Sequence, residues 1–235
     1  MALPKLNDSP KYELVIPSSQ QKIRYRPYLV KEEKILMLAM ESQDMNSVLG
    51  AVVDTIEACV QDPIEKNKLA MFDVEYMFTQ IRSKSVGETS KINVKCQHCE
   101  ERNEVTVDVA SIEIDVPDLD NMIELTSDIT LEMKWPTYSE IIGLGITDKD
   151  SMASSAFSMI GKCIAAIHTE EERIDTKDVS AKELEDFLDS MTSEQFQKLT
   201  VYIEKMPRLE HDLNFTCNSC GENNDVKLQG MTDFF

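Results

Sequence analysis

Two Cys-x-x-Cys pairs, separated by more than half the chain, constrain this sequence more than any other feature. They are Cys96-Gln97-His98-Cys99 and Cys217-Asn218-Ser219-Cys220, and their first cysteines lie 121 positions apart among 235 residues. A two-residue gap lets a tight turn direct both sulfurs at one ion, and two such turns complete a tetrahedral site. We therefore predict one structural Zn²⁺ per chain, bound by Cys96, Cys99, Cys217 and Cys220, that ties together distant parts of the sequence.

The same four thiols leave other chemistries open. They could bind iron in a rubredoxin-like site, form two redox dithiols, or remain unconnected. A thioredoxin-like role requires a Cys pair that opens a helix after a strand, whereas both pairs here lie between β-rich runs. Four thiolates leave no coordination position for water, so we expect a structural metal and not a catalytic one. The polar start of the chain, Met1–Lys11, lacks the apolar segment of a signal peptide, which predicts a reducing cytoplasm and favours metal over disulfides.

The remaining cysteines and the histidines carry no ligand pattern of their own. Cys59 and Cys163 stand among apolar residues and are predicted to be small buried hydrophobic side chains. His98 lies inside the first Cys pair, but four sulfurs already complete the coordination shell. We expect His168 and His211 to be ordinary surface or packing residues.

The charge of the chain excludes several classes of function. There are 24 Lys and Arg residues against 43 Asp and Glu, a formal net charge of −19. A field of that sign repels phosphate, so nucleic acid and anionic membrane surfaces are disfavoured as partners.

No phosphate-binding loop, His-Glu-x-x-His or Gly-x-Ser-x-Gly motif is present, and we predict that the chain is not an enzyme. No run reaches the ~20 apolar residues that cross a bilayer, and the most apolar span, Met152 to Ile167, is predicted to be a buried helix.

The contexts of the two Cys pairs repeat. Residues 92–107 align with residues 213–228, with coincident Cys, Asn and alternating apolar positions, and each reads as a strand, a Cys pair and a second strand. Upstream, a predicted β-hairpin, a proline and a helical pattern begin near Tyr12 and again near Ile123.

These repeats predict an internally duplicated α+β fold. Its halves are residues 1–114, with a zinc-knuckle hairpin at 92–108, and residues 115–235, with a second knuckle at 213–229. The two knuckles are expected to pair into one zinc-ribbon-like Cys₄ site, to which each half contributes two ligands.

Helical periodicity fills the middle of both halves. The predicted helices and their N-terminal signals are 45–60 behind Asp44, 74–81 behind Asp73, 153–167, 184–191 behind Ser180 and Glu183, and 196–206 behind Thr192 and Gln195. Met231 and the terminal Phe234-Phe235 are candidate docking residues for a partner, and the alternative is a frayed terminus.

Long phrases of the first half carry a resemblance to a known family. They are Met1–Asn7, Tyr12–Leu14, Ile23–Leu36, Phe72–Tyr76 and Gln80–Glu88. The sequence resembles the baseplate hub subunit or hub-assembly protein of T-even-type contractile-tailed bacteriophages, strongly over residues 1–110 and less beyond.

The resemblance implies a late viral protein that helps to build the central hub of the tail baseplate, with no catalytic residues. It implies other hub and tail proteins as partners, and an oligomer within the baseplate. The expected place is the host cytoplasm during assembly. The protein then either stays in the virion tail baseplate or leaves as an assembly chaperone. The zinc prediction depends on this sequence alone. The main alternative is a zinc-ribbon protein that regulates transcription or binds polymerase, although the charge of −19 opposes contact with DNA.

Overall fold

The computed structural model describes residues 10–42, 44–144 and 152–234 and confirms a mixed α+β fold. The chain forms two compact units. The first consists of Met1–Asp115 with Arg208–Phe235, and the second of Val116–Pro207. Residues 208–235 thus pack with the first unit, so the compact units do not coincide with the two sequence halves. The duplication concerns the sequence repeat and stays a prediction.

The first unit contains three helices and three antiparallel hairpins in the part of the chain described. Its elements are β1 (Tyr12–Val15), β2 (Lys22–Tyr25), α1 (Val30–Glu41), α2 (Met45–Cys59), α3 (Met71–Ser85), β3 (Thr89–Lys95), β4 (Arg102–Asp108), β9 (Glu210–Thr216) and β10 (Asn223–Gln229). The strands pair as β1–β2, β3–β4 and β9–β10. The predicted first hairpin is confirmed. The N-cap at Asp44 is also confirmed, since its carboxylate accepts the Ser47 N–H at 3.0 Å.

A compact apolar cluster lies between the hairpins β3–β4 and β9–β10. Its buried members are Ile92, Val107, Val109, Ile112, Leu209, Leu213, Leu228 and Phe234. Phe234 is fully buried, so its predicted role as an exposed docking residue is wrong, because the protein's own core takes up the ring. Phe235 lies outside the described residues. Glu75 of α3 accepts the backbone N–H groups of Leu209 and Met231, which fastens α3 to the start and the end of the second hairpin.

The second unit packs helices on one four-stranded antiparallel sheet. Its elements are β5 (Met122–Glu124), β6 (Thr130–Met133), α4 (Tyr138–Gly143), α5 (Met152–Lys162), β7 (Ile164–His168), β8 (Arg173–Asp175), α6 (Ala181–Asp189) and α7 (Ser193–Glu204), with strand order β5-β6-β7-β8. The predicted hairpin after Ile123 is confirmed as β5–β6. Both predicted capping boxes are confirmed, with reciprocal hydrogen bonds between Ser180 and Glu183 and between Thr192 and Gln195.

The predicted helix across Met152–Ile167 is wrong in its second part. The helix ends at Lys162, and Ile164–His168 is the strand β7, paired on both sides. An inner strand buried on both faces is a continuous apolar run, which periodicity alone cannot distinguish from a buried helix. Cys59 and Cys163 are both fully buried, as predicted. Within the described ranges, no helix has the length and apolar character needed to cross a membrane.

Candidate metal centre

Each Cys pair lies in the turn of a hairpin of the first unit, and the two turns have the same backbone geometry. In each, the N–H of the first cysteine donates to the carbonyl five residues on at 2.9 Å, and its carbonyl accepts the N–H four residues on at 3.0 Å. The chain passes through positive φ at matching positions, Glu100 (59°) and Gly221 (76°). The strand registers also correspond, because Lys95 lies opposite Arg102 and Thr216 opposite Asn223.

The structure brings all four predicted ligands together. Cys96 Sγ lies 3.7 Å from Cys220 Sγ, Cys99 Sγ lies 3.7 Å from Cys217 Sγ, and all four sulfurs lie within 4.8 Å of one another. A zinc ion with Zn–S bonds of about 2.3 Å in tetrahedral geometry separates its sulfurs by about 3.8 Å. A disulfide would hold them at about 2.05 Å. The observed spacing is therefore suited to four ligands around one ion, with each hairpin contributing two.

Two asparagines brace the hairpins against each other. Asn103 of β4 accepts the Asn218 N–H at 2.8 Å, and Asn224 of β10 accepts the Gln97 N–H at 2.7 Å. Each also donates its amide Nδ2 to a carbonyl of its own hairpin, two residues earlier, at 3.0 Å. Both side chains are buried. Each hairpin therefore supplies a side chain that fixes the Cys turn of the other, and side chains in such places position the candidate metal ligands from outside the coordination shell.

Backbone N–H groups are directed at all four sulfurs, and the first sulfur of each pair accepts more of them than the second. The N–H groups of Cys220 and Ser219, together with Asn103, lower the pKa of Cys217 to about 6. At Cys96, burial would raise the pKa, but backbone N–H groups of its own turn and Asn224 outweigh burial, so the pKa lies below its ordinary value. A thiol must lose its proton to bind a metal. These two sulfurs are therefore poised to act as the first thiolate ligands.

The histidines do not join the four sulfurs. His98 Nε2 lies 3.3 Å from the carbonyl of Asn223, which places the ring against β10. His168 Nε2 lies 2.9 Å from Glu132 Oε2 on the sheet of the second unit. The two asparagines were missed in the sequence, although a signal was present. Each stands seven positions after the first cysteine of its pair.

The comparisons with known proteins agree with the resemblance seen in the sequence. The family described as T4 bacteriophage base plate protein matches residues 9–235, and this range includes both units and all four cysteines. The baseplate hub assembly protein gp26 of Enterobacteria phage T4 is 23% identical over 225 residues, which cover 95% of this chain and 97% of that protein. No solved structure matches the chain significantly. Because the family match spans nearly the whole sequence, the chain belongs to the T4 bacteriophage base plate protein family.

Proposed function

We propose that this chain is a non-catalytic component or assembly factor of the central hub of a phage tail baseplate. The observation that carries the proposal is the family match over residues 9–235, together with a relative of nearly equal length named as a baseplate hub assembly protein. Its partners are then other hub and tail proteins, met in the host cytoplasm during assembly and, for a resident hub component, also in the finished baseplate. Neither comparison points to the alternative role in transcription.

The chemistry of the thiols supports a role without catalysis. Four sulfurs around one ion leave no position for a substrate or a water molecule. Burial raises the pKa of Cys59 to about 11 and that of Cys163 to about 12, so both remain protonated and weakly nucleophilic at neutral pH.

We propose that the ion at the four cysteines is Zn²⁺, one per chain, with a structural role. Tetrahedral sets of four sulfurs suit zinc or iron, and zinc has no redox chemistry that would disturb a purely structural site. Eight described residues form the buried part of the apolar cluster between the two hairpins, and metal binding adds its free energy to the folding of this region.

We also propose that the two sequence halves arose by duplication. The matched turns and the reciprocal asparagines support this at the end of each half. A second repeat supports it at the beginning. In the first half, the Arg26 N–H donates to the Cys59 carbonyl and the Arg26 side chain pairs with Glu32. In the second half, Lys134 contacts the Cys163 carbonyl and Glu140 in the same way.

The metal proposal is tested by elemental analysis and thiol counting on purified protein. We expect one zinc per chain, lost in Cys96→Ser and equally in Cys217→Ser, because each hairpin alone offers only two ligands. Cys59→Ala is the matched control, since it removes one thiol and should keep the zinc. Absence of metal, or iron in its place, would contradict the proposal, as would two ions that are lost independently.

The hub proposal is tested in the phage that encodes the chain. We expect that disruption of the gene stops tail assembly before a complete baseplate forms, as seen by electron microscopy of infected-cell extracts. Normal tails in its absence would contradict the proposal. Mass spectrometry of purified virions then separates a resident hub component from a factor that leaves after assembly.

A further inference from the structure

The first unit carries an exposed apolar surface on α1 and the first turn of α2. Of the twelve large apolar side chains exposed on the described residues, seven fall within this stretch of seventeen positions. They are Leu29, Val30, Ile35, Met37, Leu38, Met40 and Met45, with exposed fractions from 41% to 78%. We call these residues the α1 surface. Such a concentration of exposed apolar side chains is typical of a site of interaction, since exposed apolar residues elsewhere on proteins are mostly scattered singly.

Helix α1 contacts the rest of its unit along one narrow face. Glu32 is its buried residue, and Leu36 and Ala39 are half-buried, while the other nine positions are exposed. Five of those nine are large apolar residues, and three of them, Val30, Met37 and Leu38, lie on the side opposite the buried face. The other four exposed positions are charged. The helix thus presents apolar side chains on an outward face that none of the described residues of its own unit covers, which is typical of a surface that packs against another protein.

The charges along α1 indicate what kind of protein surface packs against it. Lys31 and Lys34 lie near its beginning with Glu32 and Glu33 between them, and Glu32 is turned inward to Arg26. Glu41 lies at its end, and the last turn contains no basic residue. Lys34 and Glu41 are seven positions apart, so both project from the outward side of the helix, and neither forms an ion pair within the described residues. In an antiparallel pair of such helices, Lys34 of one copy lies beside Glu41 of the other.

We propose that the α1 surface is the interface of a two-fold dimer, in which α1 packs antiparallel against α1 of a second copy. A two-fold interface brings the same patch of both copies together, so an outward helix face with Lys34 near one end and Glu41 at the other is complementary to itself. The apolar ends match as well, because Leu29 and Val30 of one copy meet Met40 and Met45 of the other. The stretch 29–45 carries a formal charge of only −2 out of the −19 of the chain. Repulsion between copies therefore arises mainly from residues elsewhere.

The proposal is tested by sedimentation equilibrium of the full chain over a range of micromolar concentrations, and it does not depend on the role in the hub. We expect a monomer–dimer equilibrium that strengthens with added salt, since salt screens the repulsion between two acidic copies and leaves the apolar contact intact. Met37→Glu and Leu38→Glu should each weaken association at least tenfold. Val201→Glu is the matched control, because Val201 is 43% exposed on α7 of the second unit, and it should leave association unchanged.

A charge exchange tests the antiparallel arrangement itself. We expect Lys34→Glu alone and Glu41→Lys alone to weaken the dimer, and the double variant to restore it, because the exchanged charges pair again across the two-fold axis. Circular dichroism of each variant confirms that the helices remain folded. A monomer at every concentration would overturn the proposal. So would a dimer that resists both Met37→Glu and Leu38→Glu, or a double variant as weak as the two single ones.

Discussion

The hairpin pair of the first unit and the second unit are held together by different means. Among the described residues, eight buried apolar residues between the hairpins are supported by five partly buried ones. In the described part of the second unit, nine buried residues are surrounded by eleven partly buried ones on a four-stranded sheet. The four cysteines and the two bracing asparagines occur beside the smaller of these clusters. The comparison teaches that the candidate metal ligands and the bracing hydrogen bonds lie where apolar burial is less extensive, which is where a structural metal would contribute most to stability.

Loss of the metal is expected to give the largest difference in stability between the hairpin pair and the second unit. In Cys96→Ser, or after chelation, the hairpin pair should unfold because the binding free energy of a structural zinc, of order 10 kcal/mol, also stabilises the fold. Hydrogen exchange should show lost protection in β3, β4, β9 and β10 and retained protection in β6 and β7. Chelator added to Cys96→Ser should change nothing more. Equal loss of protection in both regions would contradict this division.

Removal of a bracing asparagine is expected to have the next largest effect. Asn103→Ala should destabilise the hairpin pair by about 2–4 kcal/mol, because the Asn218 N–H and the Glu101 carbonyl each lose a hydrogen bond and the buried amide leaves a gap. Asn224→Ala should cost about the same. Asn223→Ala is the control and should cost less than about 1 kcal/mol, since its exposed amide accepts a hydrogen bond from the Thr216 hydroxyl. Thermal unfolding measures all three, and a harmless Asn103→Ala would refute reciprocal bracing.

Two junctions offer a third test: one joins the hairpin β1–β2 to α1, and the other joins the hairpin β5–β6 to α4. Glu32 and Glu140 make equivalent contacts, but the side chain of Glu32 is 4% exposed and that of Glu140 is 29% exposed. Glu32→Ala leaves the guanidinium of Arg26 largely buried without its carboxylate, and should cost about 3 kcal/mol. Glu140→Ala should cost about 1 kcal/mol, because water reaches Lys134. Denaturant titration distinguishes the two, and equal costs would show that burial does not set the difference.

The smallest expected effect is a difference in pH dependence. Burial raises the pKa of Glu75, which fastens α3 to the second hairpin. At Glu140, burial alone would raise the pKa, but Lys134 and the Thr137 N–H outweigh it, so the pKa is lowered. Glu75 therefore lowers stability as the pH rises above its unfolded-state pKa of 4.5 and through its folded-state value. Glu140 stabilises above pH 4.5 and loses that contribution as the pH falls through its lower folded-state pKa.

Substitution of each glutamate by glutamine tests the predicted direction of both pH dependences. Glu75→Gln keeps an acceptor for the two N–H groups, so unfolding free energies measured from pH 4 to 8 should be higher than wild type toward neutral pH. Glu140→Gln should be less stable than wild type at neutral pH and approach it in acid. Parallel pH profiles of wild type and Glu75→Gln would refute the assignment.

Sequence patterns were sufficient wherever a few neighbouring residues determine the structure. The Cys-x-x-Cys spacing, the Asp44 N-cap and the two capping boxes are of this kind. The end of α5 was not predictable in this way, because Ile164–His168 becomes a strand through pairing with β6 and β8, which are distant in sequence. The burial of Phe234 and the return of residues 208–235 to the first unit likewise depend on tertiary packing. The asparagines lay in the repeat, but their role required knowledge of which turns face each other.

The ribosome makes the two pairs of cysteines at different times. At about 5–20 residues per second, the 121 positions from Cys96 to Cys217 take roughly 6–24 s to synthesise. During that interval the first hairpin has emerged with two thiols and no opposite turn, while all of Val116–Pro207 follows and can bury its own core. A chain truncated before Cys217 cannot close the site. Closure of the four-cysteine site is therefore a late step of folding, which can occur only after the whole second unit has been synthesised.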